Sequence, residues 1–307
     1  MKRKNKLSSL FESLRPSQWI KNLSLFAAAI LNGQLTNPHI FNLSLLAFVS
    51  FCCLSSSSYL VNDLMDIEND RKHPFKRNRP LAHGDVSVKM AVIMAFVLLT
   101  IGLAISSSIN SGFFILSIVF IFLQYTYSFL LKKKAVIDII GISFFFILRA
   151  YAGELATGYH LPVWIMLAVI FLSLFIASGK RRSELVNTGS KTRSALKGYG
   201  RSLLSFYTTM FAVCTLIAYS MFTFFEEPIR FQGIIHQYLL TNYPNALDRK
   251  WYMITIVPVI FGIMRYGQII FEMQEGERPE RVIATDIPLL LSVAFWGLSM
   301  IALIYVF

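Results

Sequence analysis

The feature that most constrains this chain is a series of apolar runs, each about as long as a membrane is thick. A bilayer core needs about 20 consecutive apolar residues per helix. Nine segments meet or approach that length: 22–36, 42–61, 88–108, 112–130, 136–156, 162–179, 203–225, 252–272 and 287–306. The first is the most interrupted, by Asn22, Asn32 and Gln34. With 55% hydrophobic residues, the chain is more apolar than a soluble domain of this size. The expectation is an all-α integral membrane protein, with residues 1–307 forming one transmembrane domain. Residues 1–21 form an interfacial amphipathic lead-in, since Leu7, Leu10, Phe11 and Leu14 recur at helical spacing. The basic start is followed by "LFESLRPSQW" rather than by a short apolar core and cleavage site, so no cleavable leader is expected.

The cations set the orientation. Of the 29 Lys and Arg, 24 fall in the loops of one face and three on the other, with Arg149 and Arg265 inside spans. The basic face is cytoplasmic by the positive-inside rule. Nine spans then put the N-terminus in the cytoplasm and the C-terminus on the opposite face. The net charge of +12 is absorbed by topology and anionic lipid, and it is split among loops with no nucleic-acid module. The three Cys residues show no disulfide or zinc spacing.

"VNDLMDIENDRKHPFKRNRP", residues 61–80, leaves the second span with acids first and cations after. At about 100° per residue on a helix, Asn62, Asp63, Asp66 and Asp70 fall within one ~100° arc, and Glu68 falls outside it. Carboxylates on one stripe repel unless a cation lies between them. Hard oxygen ligands of this kind suit Mg²⁺, which usually shares its shell with substrate phosphates. Arg71, Lys72, Lys76, Arg77 and Arg79 follow, in a loop stiffened by Pro74 and Pro80, and suit a diphosphate. The plainer reading of the same residues is a solvated helix end with pairs to Arg71 and Lys72.

"NDLMDIENDRKHP" matches the N-D-x-x-D-x-x-x-D signature, and by it the chain resembles the UbiA superfamily of intramembrane prenyltransferases. Its "LRPSQWIKN" (14–22), residues 62–80, 127–153, "SGKRRSEL" (178–185) and "EGERPE" (275–280) are similar to the decaprenyl-phosphate phosphoribosyltransferase branch. The resemblance implies a nine-helix bundle with a central cavity opening to the cytoplasmic face. It implies Mg²⁺ held by Asn62, Asp63, Asp66 and Asp70, with the last three catalytic. It also implies transfer of phosphoribose from phosphoribosyl diphosphate to a polyprenyl phosphate in a bacterial plasma membrane. A homo-oligomer is compatible with it.

The aromatic-prenylating members carry a second acidic motif, D-x-x-x-D. Here that place reads "GKRRSEL": Lys180 stands where an Asp would be and Glu184 remains. A donor with an extra phosphate needs more cations and fewer carboxylates. Arg71, Lys76, Arg79, Lys180, Arg181 and Glu184 are therefore candidate substrate contacts, and Asp138 joins them as an acid at the start of a span. The resemblance adds Tyr127 and Lys132 as phosphate contacts, although Tyr127 also suits an interface anchor. Arg149 reads equally as a cavity cation or as an internal pairing partner. Arg15 and Lys21 meet the lipid phosphate or anchor the first helix. The competing functions are prenyl transfer to an aromatic acceptor, favoured by an intact second D-x-x-x-D, and transport, favoured by midplane charges and interrupted helices.

Overall fold

The computed structural model describes residues 6–72, 76–188, 194–227, 233–277 and 279–306. Pro74 and seven of the counted cations, Lys2, Arg3, Lys4, Lys191, Arg193, Arg230 and Arg278, lie outside them. Among the described residues every regular element is a helix. A short α1 (Lys6–Ser13) leads into a 3₁₀ run, Pro16–Phe26, and α2 (Ala27–Leu31). Then come α3 (Pro38–Met65), α4 (Ile67–Lys72), α5 (Pro80–His83), α6 (Val88–Ile109), α7 (Ser111–Phe129) and α8 (Ile137–Thr157). They are followed by α9 (Val163–Thr188), α10 (Arg201–Phe225), α11 (Gly233–Asn242), α12 (Ile256–Gln268), α13 (Pro279–Thr285) and α14 (Ile287–Ile301). Eight segments are long and apolar enough to cross a membrane. The first expected span, 22–36, is built differently: its residues 22–26 finish a 3₁₀ run that begins at Pro16, inside the expected lead-in, and α2 covers Ala27–Leu31.

Local chemistry explains the boundaries. Asn37 caps α3 by accepting from the His39 N–H, with Pro38 at the first helical position. Ser87 caps α6 through Met90 N–H, and Asn110 caps α7 through Phe113 N–H. Each satisfies an amide that the helix start leaves without a partner.

The helices fall into two compact units. The first comprises residues 1–29, 35–130 and 148–159. In it α3 packs along α6 and α7. Small and hydroxylated side chains let these helices approach: Ser50, Ser106 and Ser117 form a buried hydroxyl chain, and Ser57 donates to Ala95 O at 2.7 Å. With no water to drive association in lipid, such close packing and hydrogen bonding hold helices together. A Cβ at Gly153 would collide with the Leu25 backbone, 3.0 Å from its carbonyl carbon and 3.1 Å from its Cα. We expect Gly153→Ala to lower stability by about 1–3 kcal/mol, since overpacking against backbone cannot relax by a rotamer change. Thermal unfolding in detergent reads this directly, and an unshifted midpoint would contradict the close packing.

The second unit comprises residues 30–34, 131–147 and 160–307, with α9 along α10 and α12 along α14. Phe175, Ile263, Tyr266, Ile269 and Ile270 form its main apolar core. Helix α8 contributes residues to both units.

Candidate active site

The acidic stripe sits at the end of α3, in the first unit, and is not carried by one unbroken helix. Asp66 is the C-cap of α3, with φ −96° and ψ 6°, and α4 resumes at Ile67. The break preserves the spacing, because Asp66 N–H donates to Asn62 O at 3.1 Å and Asp70 N–H to Asp66 O at 2.8 Å. Residues 62, 66 and 70 therefore stay one helical turn apart. Asp63 and Asp70 are buried, the latter only 3% exposed. Asn62 and Asp66 are half-buried.

Buried carboxylates require partners, and two arginines supply them. Arg79 Nη1 donates to Asp63 Oδ1 at 3.0 Å and to Asp70 Oδ2 at 2.5 Å. Arg15 also pairs with Asp63 Oδ1. Arg79 is held in place from behind: it precedes Pro80, whose helix α5 buries Leu81 in a cluster with Leu60, Val86 and Ala91. Arg15 is placed by an unusual backbone. Its φ of 54° turns the chain between α1 and the 3₁₀ run, and its guanidinium lies 5.1 Å from the Tyr59 ring centre. Trp19 Nε1 donates to Ser56 Oγ, which donates to Leu14 O, so the turn is bolted to α3 on both sides of Arg15.

Among the described residues, no three His, Cys, Asp or Glu side chains form a ready metal cage. The donor chemistry still fits Mg²⁺, which binds through one or two carboxylates, waters and substrate phosphates rather than through an all-protein cage.

The other candidates of this unit are spread out. Arg71 is exposed and pairs with Glu68 at 2.9 Å, with a second bond to Ala82 O. Lys76 is exposed. Lys21 Nζ donates to Gln18 Oε1 at 2.5 Å. Tyr127 is half-buried near the end of α7. Arg149 lies in the interior, 3% exposed: its Nε donates to Asn22 Oδ1 at 2.7 Å, and its guanidinium stands 5.0 Å from the Phe120 ring centre. Asn22 in turn donates to Cys52 Sγ at 3.3 Å.

The second unit holds a separate ionic cluster. Arg181 is 1% exposed; its Nε donates to Asp138 Oδ2 at 2.6 Å and its Nη1 to Glu184 Oε2 at 2.5 Å. Asp138 is fully buried and also accepts from Tyr199 OH at 2.7 Å. The Tyr199 hydroxyl accepts from Val136 N–H, and Val136 has φ 68°, a conformation rare for a β-branched residue. Burial, reinforced by donation to Asp138, raises the Tyr199 phenol above its ordinary pKa. The hydroxyl therefore stays a donor across the physiological range. Lys180 and Lys132 are half-buried.

Three residues of this unit have no site role assigned from the sequence. Tyr199 gives no signal beyond the need of a buried Asp138 for partners. Arg182 stacks 4.1 Å from the Phe271 ring centre and donates to Ile270 O and Ser205 Oγ, which ties α9 to the π-helical turn Ile269–Met273. Asp286 accepts from Arg265 with both oxygens and caps α14 through Leu289 N–H, and the Arg265 hydrogen bond holds its carboxyl below the usual range.

Comparisons with known proteins give the family. The model of the UbiA prenyltransferase family matches residues 23–283, and the chain belongs to that family. It is a multi-pass membrane protein. It is 37% identical over 309 residues to the decaprenyl-phosphate phosphoribosyltransferase of Mycolicibacterium smegmatis, covering 98% of this chain and 94% of that one. It is 34% identical to the enzyme of the same name from Corynebacterium glutamicum, covering 99% and 89%. A UbiA homologue from Archaeoglobus fulgidus, solved with GPP and Mg²⁺, superposes with a TM-score of 0.67 at 20% identity, over 96% of this chain and 99% of that one. That last likeness speaks for the fold alone.

Proposed function

We propose that this chain is a transferase that moves 5-phosphoribose from phosphoribosyl diphosphate to a polyprenyl phosphate and releases diphosphate. The observation that carries the reading is the second motif. Where aromatic-prenylating relatives keep D-x-x-x-D, this chain has Lys180 in the place of an Asp, and its remaining acid, Glu184, is held by the buried Arg181. The near full-length relatives named for this activity support it.

The geometry supports these roles for the site residues. Asn62, Asp63, Asp66 and Asp70 would hold Mg²⁺, which when bound neutralises charge on the diphosphate. Arg79, anchored by Asp63 and Asp70, points its guanidinium at the same oxygens and stabilises the departing diphosphate. Lys76 and Arg71 add cations on the exposed side of the loop. The anomeric carbon–oxygen bond breaks with its electron pair leaving on the diphosphate. A new bond forms from an oxygen of the acceptor phosphate on the opposite face, which inverts the anomeric carbon. That oxygen is already anionic, so no general base is needed.

Part of the proposal is a ninth crossing. The crossing would run over Pro16–Leu31 rather than the expected 22–36, taking in the last six residues of the lead-in: eleven 3₁₀ residues at ~2.0 Å each and five α residues at ~1.5 Å reach about 30 Å, the thickness of the hydrocarbon core. Nine crossings would place the N-terminus and a cavity holding the site on the cytoplasmic face of a bacterial plasma membrane, with residues 1–307 acting as one domain. The test is an acceptor panel: purified protein, Mg²⁺ and labelled phosphoribosyl diphosphate, with polyprenyl phosphate or aromatic acids as acceptor. Label in polyprenyl phosphate alone is the expected result. No label in polyprenyl phosphate, with prenylation of an aromatic acid in a parallel reaction given a prenyl diphosphate, would overturn the proposal.

A further inference from the structure

Two guanidiniums converge on a single oxygen of Asp63. Arg15 and Arg79 both meet Oδ1. Their roles differ. Arg79 bridges two carboxylates and rises from a loop whose next three residues are buried. Arg15 engages one carboxylate, is about a quarter exposed, and springs from a residue in the left-handed region. That backbone conformation costs roughly 1–2 kcal/mol for a residue with a Cβ, and such outliers persist where surrounding structure enforces them. Here the enforcement is visible: Trp19–Ser56–Leu14 clamps the chain around position 15, and the Tyr59 ring supports the guanidinium. The fold invests in aiming Arg15 at Asp63.

A divalent cation arriving at Asp63 would make a third cation on one buried carboxylate. The like-charge repulsion is relieved most cheaply by releasing the arginine with one partner, Arg15. We propose that Arg15 and the divalent cation exchange on Asp63: the metal displaces the Arg15 guanidinium, which then binds the phosphate oxygens of the donor that the metal brings. Asp63 thereby passes from one cation to another without being uncompensated at any stage. The displaced side chain keeps its support from the Tyr59 ring, and a planar fork suits two phosphate oxygens. The donor half of this inference rests on the proposed function. The metal half does not.

The exchange predicts opposite signs for two affinities, which a merely structural arginine would not give. Removing a competitor tightens the metal alone, because the binding-competent carboxylate is more populated. Removing a phosphate ligand weakens the donor. In purified full-length Arg15→Ala protein, we expect Mn²⁺ alone, followed by its electron paramagnetic resonance signal, to bind about tenfold tighter than in the parent. Calorimetry with Mg²⁺ and phosphoribosyl diphosphate, without acceptor, should show binding about tenfold weaker. Asp63→Asn identifies the signal as this site by losing it. Arg15→Lys serves if the alanine variant does not fold, since a single ammonium grips Asp63 less firmly than a guanidinium and should tighten Mn²⁺ about threefold. Mn²⁺ binding that is unchanged or weaker in a folded Arg15 variant overturns the exchange. If the parent binds Mn²⁺ but not phosphoribosyl diphosphate while the Mn²⁺ shift holds, the donor assignment fails and the metal exchange stands.

Discussion

Asp70→Asn should cut turnover by about 10²–10³-fold while the protein stays folded. The side chain is 3% exposed and shares Arg79 with Asp63. Asparagine keeps its shape but removes a charge that Arg79 and a metal would both use. The charge lost is one that acts on a developing diphosphate in a water-poor site, where a single electrostatic contact is worth about 10²–10³ in rate. Folding is affected less, because Asp63 still compensates Arg79, and Arg15 still compensates Asp63. Initial rates at saturating donor, set beside a thermal melt of the same sample, separate the two effects. Turnover within threefold of the parent would remove Asp70 from the chemistry.

Arg181→Met acts on stability. Its guanidinium joins Asp138 and Glu184 in the interior of the second unit, and Asp138 has no exposed surface. Deleting one partner of a buried pair leaves an uncompensated charge and costs about 3–5 kcal/mol, which lowers the melting midpoint by roughly 10 °C. Tyr199 cannot repair the loss, since its hydroxyl already donates to Asp138. The double variant Asp138→Asn/Arg181→Met should regain most of the loss, because the stranded charge is gone. A single variant that melts within 2 °C of the parent, or a double variant no better than the single, would show that the pair is not holding the cluster.

Both sites illustrate what a sequence reveals. Long spans are legible because a bilayer demands about 20 apolar residues in a row, and eight of the expected runs became helices of that length. The first run, 22–36, did not, because hydropathy does not report backbone pitch: its first five residues belong to a 3₁₀ run that begins at Pro16. The Asn62/Asp63/Asp66/Asp70 stripe was legible from its one-turn spacing. The break at Asp66 was not, since the hydrogen bonds that carry the spacing past it leave the pattern intact. Partners distant in sequence were invisible. Nothing local pairs Arg15 with Asp63, Asp138 with Tyr199, or Arg265 with Asp286, whose separations are 48, 61 and 21 residues. Arg181 shows the cost most clearly. In "GKRRSEL" it reads as one of three loop cations for phosphates. In the folded chain it is the buried centre of an ionic cluster, and its neighbour Arg182 bonds to the Ile269–Met273 turn.

The central claim is that phosphoribose travels and diphosphate stays behind. Phosphoribosyl diphosphate labelled on its 5-phosphate, and separately on its β-phosphate, tests this in one extraction. With purified protein, Mg²⁺ and polyprenyl phosphate, the 5-phosphate label should move into the organic phase and the β-phosphate label should remain in water as diphosphate. Both labels in the lipid, or neither, would contradict the account.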